Sequence, residues 1–252
     1  MPITKDGLLT VYKEMKRVLD ANGIRFYAMY GTALGAVRDN GIIPWDNDID
    51  IGIFESDMDR VKEIMKTQLS DGFYFHVPSA DTHCHVFKVT EDFEEDLRNK
   101  EAPFIDIFVI ERFPSGRLKA LLSRAGIRTY MLSMSLVYIP DSGFGQRLVR
   151  WIPKAIKKIV KLLAGKGADM TVLYEAEYRR TILPSSTYGE PVQHVFEDSV
   201  IYLPEQWGAL LTEMYGDYMT PPPEDKRKGA EGYPHRAYQD YMRDSIADQH
   251  SP

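Results

Sequence analysis

YGTALGAVRDNGIIPWDNDIDIGIF, residues 30–54, is the part of the chain that most constrains its structure and its chemistry. Three aspartates, Asp46, Asp48 and Asp50, stand at alternate positions near its end. Side chains at alternate positions of a β-strand project from the same face. We therefore expect the carboxylates of Asp48 and Asp50 to lie side by side, with Asp46 next to them. The opposite face of this strand is apolar and consists of Ile49, Ile51 and Ile53.

Crowded carboxylates indicate a cation site. Their mutual repulsion raises at least one pKa unless a cation neutralises them, and Mg2+ or Mn2+ favours oxygen ligands. A third acid, Asp106, interrupts the β-rich run FIDIFVI at 104–110, where an acid is unusual. The structural alternatives are a solvated acidic turn at 46–50 and a solvent-facing acid at Asp106. Three carboxylates beside a Gly31-Thr32 turn, whose N–H groups could face a phosphate, favour metal-dependent phosphoryl or nucleotidyl transfer.

Two basic residues could offset charge on a transferred phosphate. Arg38 belongs to the same stretch, and the arginine fork suits bidentate contact with a phosphate. Its alternative role is that of a helix-terminal arginine complementing the helix dipole. Lys88 lies on a predicted strand among apolar residues, where it could reach a phosphate or protect a sheet edge from pairing.

His83 and His85 flank Cys84 and suggest a zinc site. Two or three ligands on one strand do not form a closed site, however, and the chain has no second cysteine to complete a set. We therefore expect a structural role for these histidines.

The composition predicts one large globular domain or a domain with an inserted lobe. The 252 residues are 44% hydrophobic and 27% charged, which is sufficient for a sizeable core. A single cysteine excludes an internal disulfide and fits a reducing compartment. Neither a signal peptide nor a membrane-spanning segment is predicted. The net charge of −6 argues against nucleic acid as a partner.

Residues 117–166 contrast with this acidic average, because they contain eleven lysines and arginines and one acid, Asp141. Their pattern predicts two amphipathic helices joined near 140–145, with Tyr138 and Trp151 flanking the joint. A cationic amphipathic helix with an aromatic anchor is typical of membrane surfaces. The alternative is a helical lobe that packs on the sheet and leaves its lysines solvated.

The remaining pattern predicts an α+β fold. The predicted helices, besides the two basic ones, cover 4–22, 33–39, 56–69, 169–182 and 204–215. The predicted strands cover 24–29, the aspartate strand, 73–77, 85–90, 104–110 and 200–203. This order fits a small mixed sheet with flanking helices. The polar, proline-rich tail from Pro221 is predicted to be poorly ordered towards its end.

Two blocks of the chain resemble the LicD family, which also covers fukutin and fukutin-related protein and has the nucleotidyltransferase fold. The first block comprises GTALGAVR at 31–38, IPWD at 43–46 and DIDIG at 48–52. The second comprises YGDYM at 215–219 and PPPE at 221–224. Asn47 departs from the pattern, since bacterial relatives often carry an aspartate there. We predict a nucleotidyltransferase-like core at 1–115, a basic helical lobe at 116–183, and a C-terminal segment at 184–252 that completes the active cleft.

The resemblance also implies the roles of single residues. The implied ligands of Mg2+ or Mn2+ are Asp48, Asp50 and Asp106, of which Asp106 could also act as a base. The implied phosphate-binding residues are Gly31, Thr32, Arg38 and Lys88. Asp46 is either a further ligand or a neighbour of the ligands, and Tyr215 and Asp217 are expected beside the cleft.

The implied reaction moves a phospho-alcohol (phosphocholine, phosphoethanolamine or a polyol phosphate) from a CDP-activated donor to a hydroxyl of a cell-surface glycan or its lipid-linked precursor, and releases CMP. A cytoplasmic location is expected, with peripheral membrane contact through 117–166. One alternative is an NTP-dependent nucleotidyltransferase that acts on a small molecule. The other is a catalytically inactive glycan-binding relative.

Overall fold

The computed structural model of the chain describes residues 3–78, 83–114, 116–137, 155–156, 158–159, 161–162, 165, 169–172, 182–229, 234 and 237–249. The chain divides into two compact units. The first consists of Met1–Phe108, Glu190–Pro204 and Asp217–Pro252, and the second of Val109–Gly189 and Glu205–Gly216. Helices and antiparallel strands occur together along the chain, so the fold is α+β, as predicted.

The helices of the described residues are α1 (Lys5–Ala21), α2 (Tyr30–Asp39), α3 (Met58–Gln68), α4 (Phe93–Asn99), α5 (Arg117–Val137), α6 (Trp207–Tyr215) and α7 (Ala237–Gln249). The strands are β1 (Tyr27–Ala28), β2 (Asp50–Phe54), β3 (Phe73–His76), β4 (Cys84–Lys88), β5 (Phe104–Phe113), β6 (Asp169–Val172), β7 (Leu183–Pro184), β8 (Val192–Phe196) and β9 (Ser199–Leu203).

The sheet of the first unit has the strand order β1-β2-β5-β4-β3. The antiparallel register places His85 opposite Asp106 on one side and opposite His76 on the other. Residues that face each other on neighbouring strands project from the same face of a sheet. His76, His85 and Asp106 therefore form a polar row across three strands.

The first helix forms as its sequence predicts. The Thr4 hydroxyl accepts a hydrogen bond from the Gly7 amide at 3.1 Å and caps α1. Its apolar face, which includes Val11, Tyr12 and Met15, is fully buried. The apolar side of the aspartate segment is equally buried, since Ile49, Ile51 and Ile53 are all inaccessible to solvent. Burial of each such side chain contributes about 1.5–3 kcal/mol, which fixes the acidic side of the segment in place.

Helix α7 corrects the prediction that the C-terminal tail is poorly ordered towards its end, as far as Gln249. Ala237 is buried in a cluster with Phe87, Phe93 and other residues of β4, α4 and β5, and Tyr241 packs edge-on against Phe93. The polar composition concealed this helix, because only one narrow face of it is buried.

The second unit contains the end of β5, paired with β6, which in turn pairs with β7. The predicted helix at 169–182 is wrong for its first turn, since Asp169–Val172 forms β6 instead. The periodicity of a short apolar run does not distinguish a helix from a strand. Here the segment forms a strand because it pairs with the end of β5. Residues 173–181 lie outside the described part of the chain.

The first basic helix is confirmed as α5. The predicted joint at 140–145, with Tyr138 and Trp151, lies outside the described residues. Of the second basic helix, 155–156, 158–159 and 161–162 are described, and they are helical. No helix among the described residues is long and apolar enough to cross a membrane.

Candidate active site

The Gly31-Thr32 step lies in the first turn of α2 rather than in a turn that precedes the helix. Helix α2 ends as predicted at the Asn40-Gly41 step, where Asn40 adopts a left-handed conformation with φ of 53°. The Thr32 hydroxyl accepts a hydrogen bond from the buried Asp50 amide at 2.8 Å. The Met29 amide donates to the Asp50 carbonyl at 3.0 Å. These contacts give Thr32 a positioning role, because they tie the start of α2 to the aspartate segment.

The three predicted carboxylates come together. Strand β2 begins only at Asp50, so Asp48 lies just before the strand and not within it, as does Asp46. The Asp106 amide of β5 donates to the Ile49 carbonyl at 3.0 Å, which aligns the two segments. Ligand oxygens of Asp48, Asp50 and Asp106 lie within 4.8 Å of one another, and each residue is only 8% exposed.

The electrostatic surroundings of these carboxylates differ. Burial, together with the neighbouring charges of Asp46 and Asp106, raises the pKa of Asp48 to about 8. Burial also acts to raise the pKa of Asp106, but its contacts with His83 and His85 outweigh burial and lower that pKa to about 2. A cation bound among the carboxylates would relieve the repulsion at Asp48.

Asp46 lies beside this cluster. Its carboxyl contacts that of Asp48 and accepts a hydrogen bond from the Asn47 amide at 3.2 Å. A β-carbon placed on Gly31 would come within 2.5 Å of Asp46 Oδ2. Glycine at position 31 therefore allows the Asp46 carboxylate to approach the first turn of α2.

Sequence reasoning named His83 and His85 but did not place them next to Asp106. The Nε2 atoms of His83 and His85 lie 3.4 and 3.1 Å from Asp106 Oδ1. Burial lowers the pKa of His85 to about 4, although the Asp106 carboxylate opposes this shift. The signal was present in the sequence, because residues 83 and 85 stand two positions apart at the start of the predicted strand 85–90, which precedes the strand of Asp106. Only the register of β4 and β5 makes them neighbours.

The two predicted basic residues are placed differently. The Arg38 guanidinium pairs with the Asp39 carboxylate at 3.0 Å and lies 5.6 Å from the Trp45 ring, within the signature stretch. Lys88 is three positions from His85 on β4, so its side chain projects from the sheet face opposite to that of Asp106. The structure does not bring Lys88 to the carboxylate cluster.

The second sequence block lies at the end of α6. Tyr215 is 41% exposed, and Gly216 closes the helix with a positive φ, as predicted for a glycine cap. The exposed Asp217 carboxylate accepts a hydrogen bond from the Thr220 hydroxyl at 2.7 Å. A place beside the active cleft remains a prediction for Tyr215 and Asp217. Farther along the tail, the Arg227 guanidinium lies over the Trp45 ring at 4.8 Å, a contact that the sequence did not suggest.

Comparison with known proteins supports the resemblance. Residues 23–119 match the family described as LicD/FKTN/FKRP, nucleotidyltransferase domain. The lipopolysaccharide cholinephosphotransferase LicD of Haemophilus influenzae is 23% identical over 241 residues, which cover 84% of this chain and 86% of that protein.

Two further relatives align over a shorter part of the chain. The ribitol 5-phosphate transferase FKRP of Homo sapiens is 43% identical over 84 residues, which cover 27% of this chain and 17% of that protein. An uncharacterised protein of Rickettsia prowazekii is 43% identical over 59 residues, covering 23% of this chain and 22% of that protein. The matched segment, residues 23–119, holds all three buried carboxylates and both histidines, and in this segment the chain is similar to the LicD/FKTN/FKRP family of nucleotidyltransferase domains.

Proposed function

We propose that the chain is a metal-dependent transferase that moves a phospho-alcohol from a CDP-activated donor to a hydroxyl of a glycan or lipid-linked glycan, and releases CMP. The observation that carries this proposal is the buried cluster of Asp48, Asp50 and Asp106 in the segment shared with the family. Relatives named as a cholinephosphotransferase and a ribitol 5-phosphate transferase support a phospho-alcohol as the transferred group.

Asp48, Asp50 and Asp106 would hold Mg2+ or Mn2+. Their donor set fits such an ion, because it consists of carboxylate oxygens alone and because burial beside other acids raises the pKa of Asp48. When bound, the ion would polarise the phosphoryl oxygens and neutralise the charge that develops during transfer. The first turn of α2, with Gly31 and Thr32, would offer backbone N–H groups to the phosphates.

The transfer forms a bond from the acceptor hydroxyl oxygen to the phosphorus that carries the alcohol. The bond from that phosphorus to the oxygen it shares with CMP breaks, and the hydroxyl proton passes to a base. Asp106 was predicted as a metal ligand that could also act as a base, but a carboxylate with a pKa of about 2 is a weak base at neutral pH. This favours Asp106 as a ligand over Asp106 as the base.

Release of CMP from a panel of donors tests the proposal. The full chain is incubated with CDP-choline, CDP-ethanolamine, CDP-glycerol or CDP-ribitol and an isolated glycan acceptor, with Mg2+ or with EDTA. We expect CMP from one donor, with Mg2+ only. Asp50→Ala should lose this activity, whereas Asp198→Ala, which removes an exposed carboxylate paired with Lys13, should keep it.

Two other results would overturn the assignment. Release of pyrophosphate from an NTP would identify a nucleotidyltransferase that acts on a small molecule. Absence of CMP from every donor, together with failure to bind Mg2+ and nucleotide, would identify an inactive relative.

We also propose that α5 contacts an anionic membrane surface, where a lipid-linked acceptor would be available. Leu118, Leu121 and Leu122 are 70%, 64% and 47% exposed. Basic residues, Arg117, Lys119, Arg124 and Arg128, alternate with these leucines. Exposed leucines among cationic residues on one helix are the pattern of interfacial binding to anionic lipid.

Flotation with liposomes tests this surface. The chain should float with vesicles of anionic phospholipid and not with neutral vesicles. The double substitution Leu118→Gln and Leu121→Gln should abolish flotation without unfolding the chain, because both side chains are exposed. Equal behaviour with anionic and neutral vesicles would contradict the proposal.

A further inference from the structure

The His85 and Asp106 side chains meet at a buried position. Their atoms Nε2 and Oδ1 lie 3.1 Å apart, and both atoms are buried. His83 Nε2 lies 3.4 Å from the same oxygen. Two imidazole nitrogens thus converge on one buried carboxylate oxygen.

A buried chain of contacts runs from His85 through His76 to Asp240. The Asp240 carboxylate of α7 lies 3.1 Å from His76 Nε2, and Arg243 pairs with that carboxylate at 2.9 Å. His76 Nδ1 lies 2.9 Å from His85 Nδ1. When His76 donates to Asp240 through Nε2–H, its Nδ1 accepts from His85 Nδ1–H.

In that arrangement Nε2 of His85 faces the Asp106 carboxylate with its lone pair, as a metal ligand must. Two ligands each about 2.1 Å from one ion lie about 3.0 Å apart at octahedral angles and about 3.4 Å apart at tetrahedral angles. The observed separations, 3.1 and 3.4 Å, fall in this range.

We propose that His83, His85 and Asp106 bind a transition-metal ion of the zinc class, at a site distinct from the oxygen-only site of Asp48 and Asp50. Imidazole ligands favour Zn2+ over Mg2+. Three protein ligands leave one tetrahedral position open for water or a phosphate oxygen. Asp106 is shared between the two sites, since a carboxylate has two oxygens. This replaces the sequence-based expectation of a purely structural role for the histidines, and it does not depend on the proposed reaction.

Two ring-stacking contacts orient the proposed histidine ligands. The His83 ring stacks on Phe108 with centroids 4.5 Å apart, and the His76 ring stacks on His85 at 5.0 Å. Asp240 is a positioning residue, because it acts through His76 on the tautomer of His85. Residues that orient a ligating histidine in this way typically change metal affinity by roughly 10–100-fold.

Titration of the metal-free full chain with Co2+ tests the site, since Co2+ reports its ligands through visible d–d absorption. The wild type should bind Co2+ with strong visible bands, and Zn2+ should abolish them by displacement. His83→Gln and His85→Gln should lose these bands. Asp50→Asn should keep them, because it alters only the oxygen-only site, and His194→Gln on β8 should keep them as a matched control.

Other outcomes would overturn the site. Absence of the bands in the wild type, or their survival in both histidine variants, excludes imidazole ligation. If His85→Gln does not fold, His83→Gln still decides, because the His83 side chain is 25% exposed and tolerates replacement. Asp240→Asn should weaken Co2+ binding by about 10–100-fold without changing its stoichiometry. An unchanged affinity would contradict the role of Asp240 in setting the tautomer.

Discussion

Asp48 and Asp106 belong to one cluster and are equally buried, yet their surroundings shift their pKa values in opposite directions. Burial, together with the nearby carboxyls of Asp46 and Asp106, raises the pKa of Asp48 to about 8. Asp106 faces His83 and His85, and its pKa falls to about 2. Burial acts to raise the pKa of both carboxyls, so the difference between them comes from their neighbours. Asp48 must lose a proton before it can bind a cation at neutral pH, whereas Asp106 is already a negative ligand.

The largest expected effect concerns the acidic side. Asp48→Ala and Asp50→Ala should each reduce CMP release by at least roughly a thousandfold, because each removes an oxygen from the cluster that is proposed to hold the metal. The measurement is CMP release at saturating donor and Mg2+. Circular dichroism should show an unchanged fold, and Asp198→Ala provides the matched control. Retained activity in either variant would refute the assignment.

The next largest effect is expected at Thr32, which positions the acidic side of the cluster. Thr32→Val keeps the shape of the side chain but leaves the buried Asp50 amide without its acceptor, which should lower the free energy of unfolding by about 1–3 kcal/mol. Urea unfolding measures this loss. Thr10→Val on α1 is the control, because the Thr10 hydroxyl is exposed and bonds only within its own helix. Equal losses in the two variants would show that Thr32 does not hold the aspartate segment.

The pH dependence of the free energy of unfolding distinguishes Asp48 from Asp106. Folding raises the pKa of Asp48 from 3.8 to about 8, so the folded chain keeps a proton that the unfolded chain loses, and stability falls as pH rises through this window. The lowered pKa of Asp106 acts in the opposite sense, since its contribution is present above pH 3.8 and is lost towards pH 2. His85, whose pKa falls from 6.5 to about 4, increases stability as pH rises between these values. Above pH 6.5, only Asp48 of these three groups should titrate.

The wild type without metal should therefore lose on the order of 1–2 kcal/mol of unfolding free energy between pH 6.5 and 8. Urea unfolding in EDTA measures this loss. Asp48→Asn should lack this loss, since it cannot ionise. Parallel pH dependences in the two proteins would contradict the raised pKa.

The smallest effect is expected at the edge of the cluster. Gly31→Ala would place a β-carbon 2.5 Å from Asp46 Oδ2 and so displace that carboxylate. Turnover should fall by about tenfold, and the free energy of unfolding should change by less than about 1 kcal/mol, because alanine favours the helix. Gly116→Ala, which meets no neighbour among the described residues, is the control for both measurements. Unchanged turnover in Gly31→Ala would place Asp46 outside the site.

The same comparison shows what could be predicted from the sequence. The acidic side is local, because Asp48 and Asp50 stand two positions apart and the buried isoleucines alternate with them, so spacing alone brings these carboxylates together. The histidine side is not local. The neighbours of His85 depend on the register of β3, β4 and β5. The next contact in this row joins His76 to Asp240, which lie 164 positions apart in the chain. A tail with the composition of a disordered segment gave no sign that Asp240 would be buried. The sheet face from which Lys88 projects was not predicted for a related reason, since its strand was predicted without its register.

Proton release on metal binding tests the central claim, that the crowded carboxylates form a cation centre. Mg2+ is titrated calorimetrically into the metal-free chain at pH 7 in two buffers of different ionisation enthalpy. A bound cation must displace the proton that the raised pKa holds on Asp48. The account predicts binding heats that differ between the buffers by the equivalent of about one proton, and loss of this difference in Asp48→Asn. Equal heats in both buffers, or no binding, would contradict it.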